Sequence, residues 1–361
     1  MKKCLSFIIA AIVLMSCLSG CGSTSNAVDV TAVASDTQAS VEEISSDGTD
    51  LQIVTTIFPC YDWVKEVLGD NPAGAELTML LDNGVDLHSY QPTAEDIMKI
   101  ADCDLFIYVG GESDGWVDDA LAEATNSDMI VINMLDTLGD KVKEEEIVEG
   151  MEADEHEHDE DEDHDHEAEE EHEHEHEHEE GEIEYDEHVW LSLRNAAVLV
   201  DSISQAMQKI DADNADTYSK NSSSYIDSLN SLDADYKAAV DAASYKTVLF
   251  GDRFPFRYMT DDYGLDYYAA FVGCSAETEA SFETVTFLAN KMDELSLPAI
   301  LTIESGDKKI AETILANSKD KDREILTLDS MQSTTSEDVQ NGARYISIME
   351  NNLSVLKEAL K

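Results

Sequence analysis

The sequence predicts an α/β fold: two similar α/β lobes, each with a mainly parallel sheet, joined by long helices. Three observations predict it. Short apolar runs alternate with helical periods over residues 51–134, the pattern of a parallel sheet with crossover helices. The alternation stops and then returns over residues 246–361. The stretch between holds two long helical periods, 195–210 and 213–243, the second carrying Tyr218, Tyr225, Leu229, Leu232 and Tyr236 at helical spacing.

The elements follow in order. Residues 51–58 (LQIVTTIF) read as a strand, 62–68 as a helix and 76–81 as a second strand. After Pro92, Thr93 is placed to cap a helix, with Asp96 three residues on to complete a capping box. Residues 104–109 form a third strand, closed by Gly110-Gly111, before a helix over 116–124 and a strand over 129–134. In the second half, strands read over 246–250, 267–272, 299–304 and 324–328. Helices read over 281–295, 308–318 and from about 336 onward. The divisions are a first lobe at 51–143, an acidic loop at 144–182, a segment with the connecting helices at 183–243 and a second lobe at 244–361. Each lobe is long enough for its own core.

Charge narrows the function. The chain carries 79 acidic against 22 basic residues, a formal net charge of -57. That balance excludes nucleic acid as a default partner and favours cations. Eight of the 10 histidines lie in one acidic run over 151–182: His156, His158, His164, His166, His172, His174, His176 and His178. Imidazole is the commonest metal ligand among side chains, and successive imidazoles two residues apart impose no rigid geometry. Such a tract takes up zinc-like ions weakly and multiply, so it reads as an accessory scavenging or sensing loop.

The first residues read as an export signal. Lys2 and Lys3 precede an apolar core over 5–18, shorter than the roughly 20 residues a membrane span needs. Leu18-Ser19-Gly20-Cys21 resembles a bacterial lipobox, which implies a signal peptide at 1–20 and lipid on Cys21. Residues 21–50, rich in Ser, Thr, Ala and Asp, read as a flexible tether. The expected place is therefore extracytoplasmic, anchored to the cell membrane as a lipoprotein. Beyond Cys21, Cys60, Cys103 and Cys274 remain, which allows one disulfide and one free thiol or three free thiols. Their scattered spacing is not that of a zinc finger, and they are not assigned as ligands.

Two histidines stand outside the tract. His88 lies in His88-Ser-Tyr90-Gln-Pro92-Thr93-Ala-Glu-Asp96, after a strand and before a capped helix, on the edge where open α/β sheets bind ligands. His188 lies in Asp186-Glu-His188-Val-Trp190-Leu191, where the chain enters a long helix. With these motifs the chain resembles the metal-specific solute-binding lipoproteins of ABC importers for zinc and manganese. Their patterns H-x-Y-x-P-T-x-x-D and D-x-H-x-W-L are both matched in full, and zinc-type members carry a His- and acid-rich loop just before the second. The resemblance implies a metal held in the cleft between lobes, with His88 and His188 as its first two ligands. It implies a late acidic ligand at Asp329, in Leu328-Asp329-Ser-Met331.

The resemblance has one gap. The family's third ligand, a His or Glu ahead of F-x-Y, falls here on Arg253, which cannot ligate a cation. Asp252 beside it, Glu277 and Glu304 are the candidates to take its place, and Arg253 is placed to orient one of them. Two histidines with carboxylates can hold zinc and also suit manganese. The implied function is capture of Zn²⁺ for an ABC permease and its ATPase, without catalysis and as a monomer. The rivals are a Mn²⁺ or Fe²⁺ receptor of the same fold and a metal buffer with no transporter. A zinc hydrolase, with an open coordination position and a nearby general base, is the least favoured rival.

Overall fold

The structure, a computed structural model, describes residues 51–152, 184–275 and 279–361. The leader, Cys21, the tether, the eight tract histidines and Glu277 lie outside the described residues. The first lobe runs β1 (Gln52–Thr55), α1 (Phe58–Leu68), β2 (Glu76–Met79), α2 (Ala94–Asp102), β3 (Leu105–Tyr108), α3 (Val117–Ala122), β4 (Ile130–Asn133) and α4 (Met134–Leu138). Two long helices follow, α5 (Leu193–Ile210) and α6 (Ala215–Ala242). The second lobe runs β5 (Thr247–Phe254), α7 (Arg257–Tyr263), β6 (Asp266–Val272), α8 (Phe282–Glu294), β7 (Ala299–Ile303), α9 (Lys309–Asn317), β8 (Glu324–Leu328), α10 (Ser336–Gln340) and α11 (Tyr345–Ala359).

Each lobe has one four-stranded sheet, ordered β2-β1-β3-β4 and β6-β5-β7-β8. Every strand pair is parallel, so the two lobes share a topology. Parallel strands covered on both faces read as unbroken apolar runs. Leu105, Phe106 and Ile107 in β3 are all buried, as is the whole of β7. The first strand stops at Thr55 because α1 already begins at Phe58, with Pro59 in its first turn. The Thr93 capping box forms: Thr93 Oγ1 accepts from the Asp96 N–H at 3.2 Å, and Asp96 accepts from the Thr93 N–H at 2.9 Å.

The connecting helices bind the lobes together. Along α6, Tyr218, Ser222, Tyr225, Leu229, Leu232, Tyr236 and Val240 form one buried stripe at spacings of three and four. Near one end, Asn221 donates to the Val67 carbonyl of α1 at 3.0 Å. Near the other, Tyr236 Oη donates to the Met349 carbonyl of α11 at 2.6 Å. A single rigid rod of 28 residues therefore touches both lobes.

Two shorter features set the stage for the site. Strand β5 shifts register between Phe250 and Arg253, an irregularity of the kind that re-aims a side chain at a sheet end. The segment entering α5 threads between the lobes: Trp190 Nε1 donates to the Ser330 carbonyl at 2.9 Å, and Tyr345 Oη donates to the Trp190 carbonyl at 2.6 Å. Tyr345 also donates its N–H to Asp62 of α1 at 2.8 Å. All three described cysteines are free thiols, so the second of the two cysteine expectations holds.

Candidate metal centre

His88 sits on a short 3-10 turn, Leu87–Ser89, whose first turn is capped by Asp86. The Asp86 carboxylate accepts from the His88 N–H at 3.1 Å and so fixes the backbone that presents the ring. The ring's Nδ1 lies 2.7 Å from Ser113 Oγ, on the loop after β3. The tautomer that donates there leaves Nε2 as a free lone pair. His188 is wholly buried. Asp186 Oδ1 accepts from both its N–H, at 2.9 Å, and its Nδ1, at 3.1 Å. A carboxylate on one imidazole nitrogen orients the other toward a metal and makes it more basic.

The two free nitrogens meet. His88 Nε2 and His188 Nε2 are 3.3 Å apart. Two Zn–N bonds of about 2.05 Å at the tetrahedral angle span an edge of about 3.3 Å. The nitrogens already stand at the separation of two ligands on one ion. Electrostatics acts in opposite directions on the two rings. Burial, then the neighbouring His188, pushes His88 down to about 3. At His188, burial opposes charge, but the Asp186 carboxylate prevails and its pKa is raised. At neutral pH His88 is therefore an unprotonated donor.

The surroundings are acidic. A cavity of about 280 Å³ opens beside His88, walled by Glu112, Glu145, Glu184 and Glu187, with no basic residue in its lining. Glu187 is buried, and its Oε2, 3.4 Å from His88 Nδ1, has no hydrogen-bond partner. Burial raises its pKa, a penalty that a bound cation would relieve. Gly111, at φ +83°, makes room for this carboxylate, since a Cβ there would come within 2.3 Å of Glu187 Oε1.

The third group at the centre is Cys274. Among the described residues, His88, His188 and Cys274 form a cluster whose ligand atoms all lie within 4.8 Å of one another. The cysteine comes from the end of β6, and its N–H donates to Glu145 at 3.3 Å. Gly273 beside it allows the approach: a Cβ there would stand 3.0 Å from the His188 ring. Burial, then Asp186 and Glu145, holds the thiol well above its ordinary pKa, so in the absence of a cation it keeps its proton. The sequence reading assigned no cysteine as a ligand and did not anticipate this cluster. The available signal was position: Cys274 lies just past the carboxyl end of a strand in the second lobe, as His88 lies past one in the first.

The expected carboxylate ligands are placed elsewhere. Asp252 accepts backbone N–H groups of Arg253 at 2.9 Å and Ile303 at 3.2 Å. Glu304 accepts from the Ser330 N–H at 2.7 Å, the Ser330 hydroxyl at 2.8 Å and the Gln332 N–H at 3.2 Å. Asp329 accepts from the Met331 N–H at 2.8 Å, and burial, then Glu304, raises its pKa to about 6. None of the three joins the cluster of His88 and His188. They hold turns at strand ends, and that demand on their oxygens is invisible in the sequence. Arg253 also departs from expectation. Among the described residues its guanidinium pairs not with Asp252 or Glu304 but with Asp86 of the first lobe, at 2.8 Å. Burial raises the Asp86 pKa, but Arg253 and then His88 outweigh it and keep the carboxyl below its usual range.

Asp186 provides a first test. Asp186→Asn keeps the size of the side chain but lets the amide present its N–H₂ toward His188 Nδ1. The expected result is a 10- to 100-fold loss of metal affinity by chelator competition, the usual cost of removing such a partner. An unchanged affinity would show that His188 needs no orienting carboxylate.

Comparison with known proteins follows the same lines. The family described as ZnuA, zinc-uptake complex component A, periplasmic, matches residues 53–359. The chain is 32% identical over 312 residues to a zinc-binding lipoprotein AdcA of Streptococcus pneumoniae, covering 85% of this chain and 55% of that protein. It thus spans about half the length of that relative. It is 30% identical over 354 residues to the high-affinity zinc uptake system protein ZnuA of Bacillus subtilis, covering 98% of this chain and 96% of that one. Among solved structures, the Zn(II)-bound ZnuA-like domain of Streptococcus pneumoniae AdcA matches with a TM-score of 0.63 and 28% identity, over 86% of this chain and 99% of that domain. The metal-dependent lipoprotein YcdH of Bacillus subtilis matches with a TM-score of 0.65 and 26% identity, over 86% and 100%.

Proposed function

This chain belongs to the family of the periplasmic zinc-uptake complex component A, and from that premise we propose that it is an extracytoplasmic receptor that captures Zn²⁺ for import. His88 from the first lobe and His188 from the segment between lobes are its first two ligands. The observation that carries this reading is the 3.3 Å separation of their Nε2 atoms, with each Nδ1 held by its own partner. Binding is non-catalytic, and the cation is cargo. The cavity of glutamates draws it in by charge.

Delivery goes to an ABC permease driven by its ATPase. Lipid on Cys21 holds the receptor at the membrane, and residues 21–50 give it reach. Among the described residues no helix is long and apolar enough to cross a membrane. The tract histidines, His156 to His178, take up further ions weakly beside the main site.

The division of labour is tested by deleting residues 156–178 and counting bound zinc. One tight ion per chain is expected to remain while the weak ones disappear. Loss of the tight ion would move the main site into the tract and overturn the assignment. Competition on the deleted protein then tests selectivity, with Mn²⁺ expected to displace Zn²⁺ poorly.

A further inference from the structure

We propose that Cys274 is the third metal ligand of this receptor, a sulfur that stands in for the nitrogen or oxygen ligand lost at Arg253. The proposal rests on the reading of His88 and His188 as ligands and deepens it. Three observations carry it. The Cys274 sulfur and the imidazole nitrogens of His88 and His188 all lie within 4.8 Å of one another. Glu187, whose buried Oε2 has no hydrogen-bond partner, lines the same cavity as His88 and Cys274. Two carboxylates that sequence offered as replacements, Asp252 and Glu304, accept backbone N–H groups and lie outside that cluster, as does Asp329.

The geometry is close to closure. With Zn–N near 2.05 Å and Zn–S near 2.3 Å, tetrahedral bonding needs an N···S edge of about 3.6 Å. From separations within 4.8 Å, a movement of about 1 Å at the end of β6 completes the set. Arg253 fits the exchange. It turns to Asp86 at 2.8 Å and to the Ser275 carbonyl at 3.2 Å, so it braces both the His88 turn and the loop that bears Cys274. The guanidinium that cannot bind the ion instead supports the residues on either side of it.

The chemical consequence is selectivity. Two imidazoles and a thiolate form a softer set than imidazoles with carboxylates. Such a set suits zinc and disfavours manganese, whose preferred donors are oxygens. The fourth position is left to water.

The test uses the full chain with a phosphine reductant and no more than one equivalent of Co²⁺ as probe. The wild type is expected to show a thiolate-to-cobalt charge-transfer band in the near ultraviolet as well as the visible ligand-field bands. Cys274→Ser and Cys274→Ala are expected to lose the charge-transfer band and keep ligand-field bands from the histidines. Both variants are expected to bind Zn²⁺ more than about tenfold more weakly, above the lower end of what an outer partner costs. Discrimination against Mn²⁺ is expected to narrow by a similar factor. A wild type that binds Co²⁺ tightly without the charge-transfer band, with both variants unchanged in zinc affinity, overturns the cysteine while leaving the receptor intact. A wild type with no tight Co²⁺ or Zn²⁺ at all overturns the receptor reading itself. Circular dichroism of the two variants separates loss of the ligand from loss of the fold.

Discussion

His88→Ala is expected to weaken zinc binding by more than about 100-fold, beyond the 10- to 100-fold that the loss of a partner outside the coordination sphere costs. The argument is geometric. His88 Nε2 is one of two nitrogens that stand 3.3 Å apart with their far sides anchored by Ser113 and Asp186. Removing one leaves the ion without an edge of its coordination polyhedron, and no other histidine among the described residues is near enough to replace it. The side chain is about 10% exposed, at the mouth of the cavity, so its removal does little to the core. Thermal or urea unfolding with and without zinc reads the effect. If free zinc stands at 1,000 times the wild-type Kd, it stabilises the wild type by about 4.1 kcal/mol, and a 100-fold weaker variant by only about 1.4 kcal/mol. A variant that still gains the full increment would remove His88 from the site.

Trp190→Ala is expected to cost about 3–5 kcal/mol of metal-free stability, the range for deleting a large buried aromatic side chain. Trp190 is wholly buried, and its indole N–H reaches the Ser330 carbonyl of the second lobe at 2.9 Å. Its ring packs against His188, with centroids 5.2 Å apart. The substitution therefore opens a void in the seam between the lobes, orphans a carbonyl and loosens the imidazole. Urea unfolding of the metal-free protein should show a lower midpoint, and metal affinity should fall with it. A loss under about 1 kcal/mol would show that the seam closes over the gap. The tryptophan of the second sequence motif is thus a structural post for the histidine two residues before it.

These two residues also show what the sequence makes legible. The sheets are readable because strands buried on both faces must be apolar throughout, as in β3 and β7. The capping box at Thr93 is readable because its partners are three residues apart. The stripe on α6 is readable for the same reason, being local and periodic. Two helices are not. Helix α7 spans only Arg257–Tyr263 between two strands, and Gly251 within β5 looks like a turn. Helix α4 is five residues long and hides at the end of an apolar run. The terminal helix divides at Gly342, whose φ of +105° breaks the helical path.

The site was legible in part. His88 and His188 were marked by motifs, because each needs neighbours close in sequence. Cys274 was not, because its approach to them depends on folding β6 beside the segment that enters α5. The carboxylates were harder to read, because an Asp or Glu after a strand serves a turn as readily as an ion. Asp252, Glu304 and Asp329 all accept backbone N–H groups, which only tertiary structure reveals.

The ion pair between Arg253 and Asp86 carries a last consequence. It joins the two lobes at the rim of the centre by charge that belongs to the protein alone. Together with the α6 rod docked at both ends, it ties the first lobe to the second by contacts that do not involve the ion. Closing around the ion then demands little ordering, which favours tight capture. In the proposed receptor, the parts left free to respond to an ion would be local: the charge at the mouth of the cavity and the loop after β6.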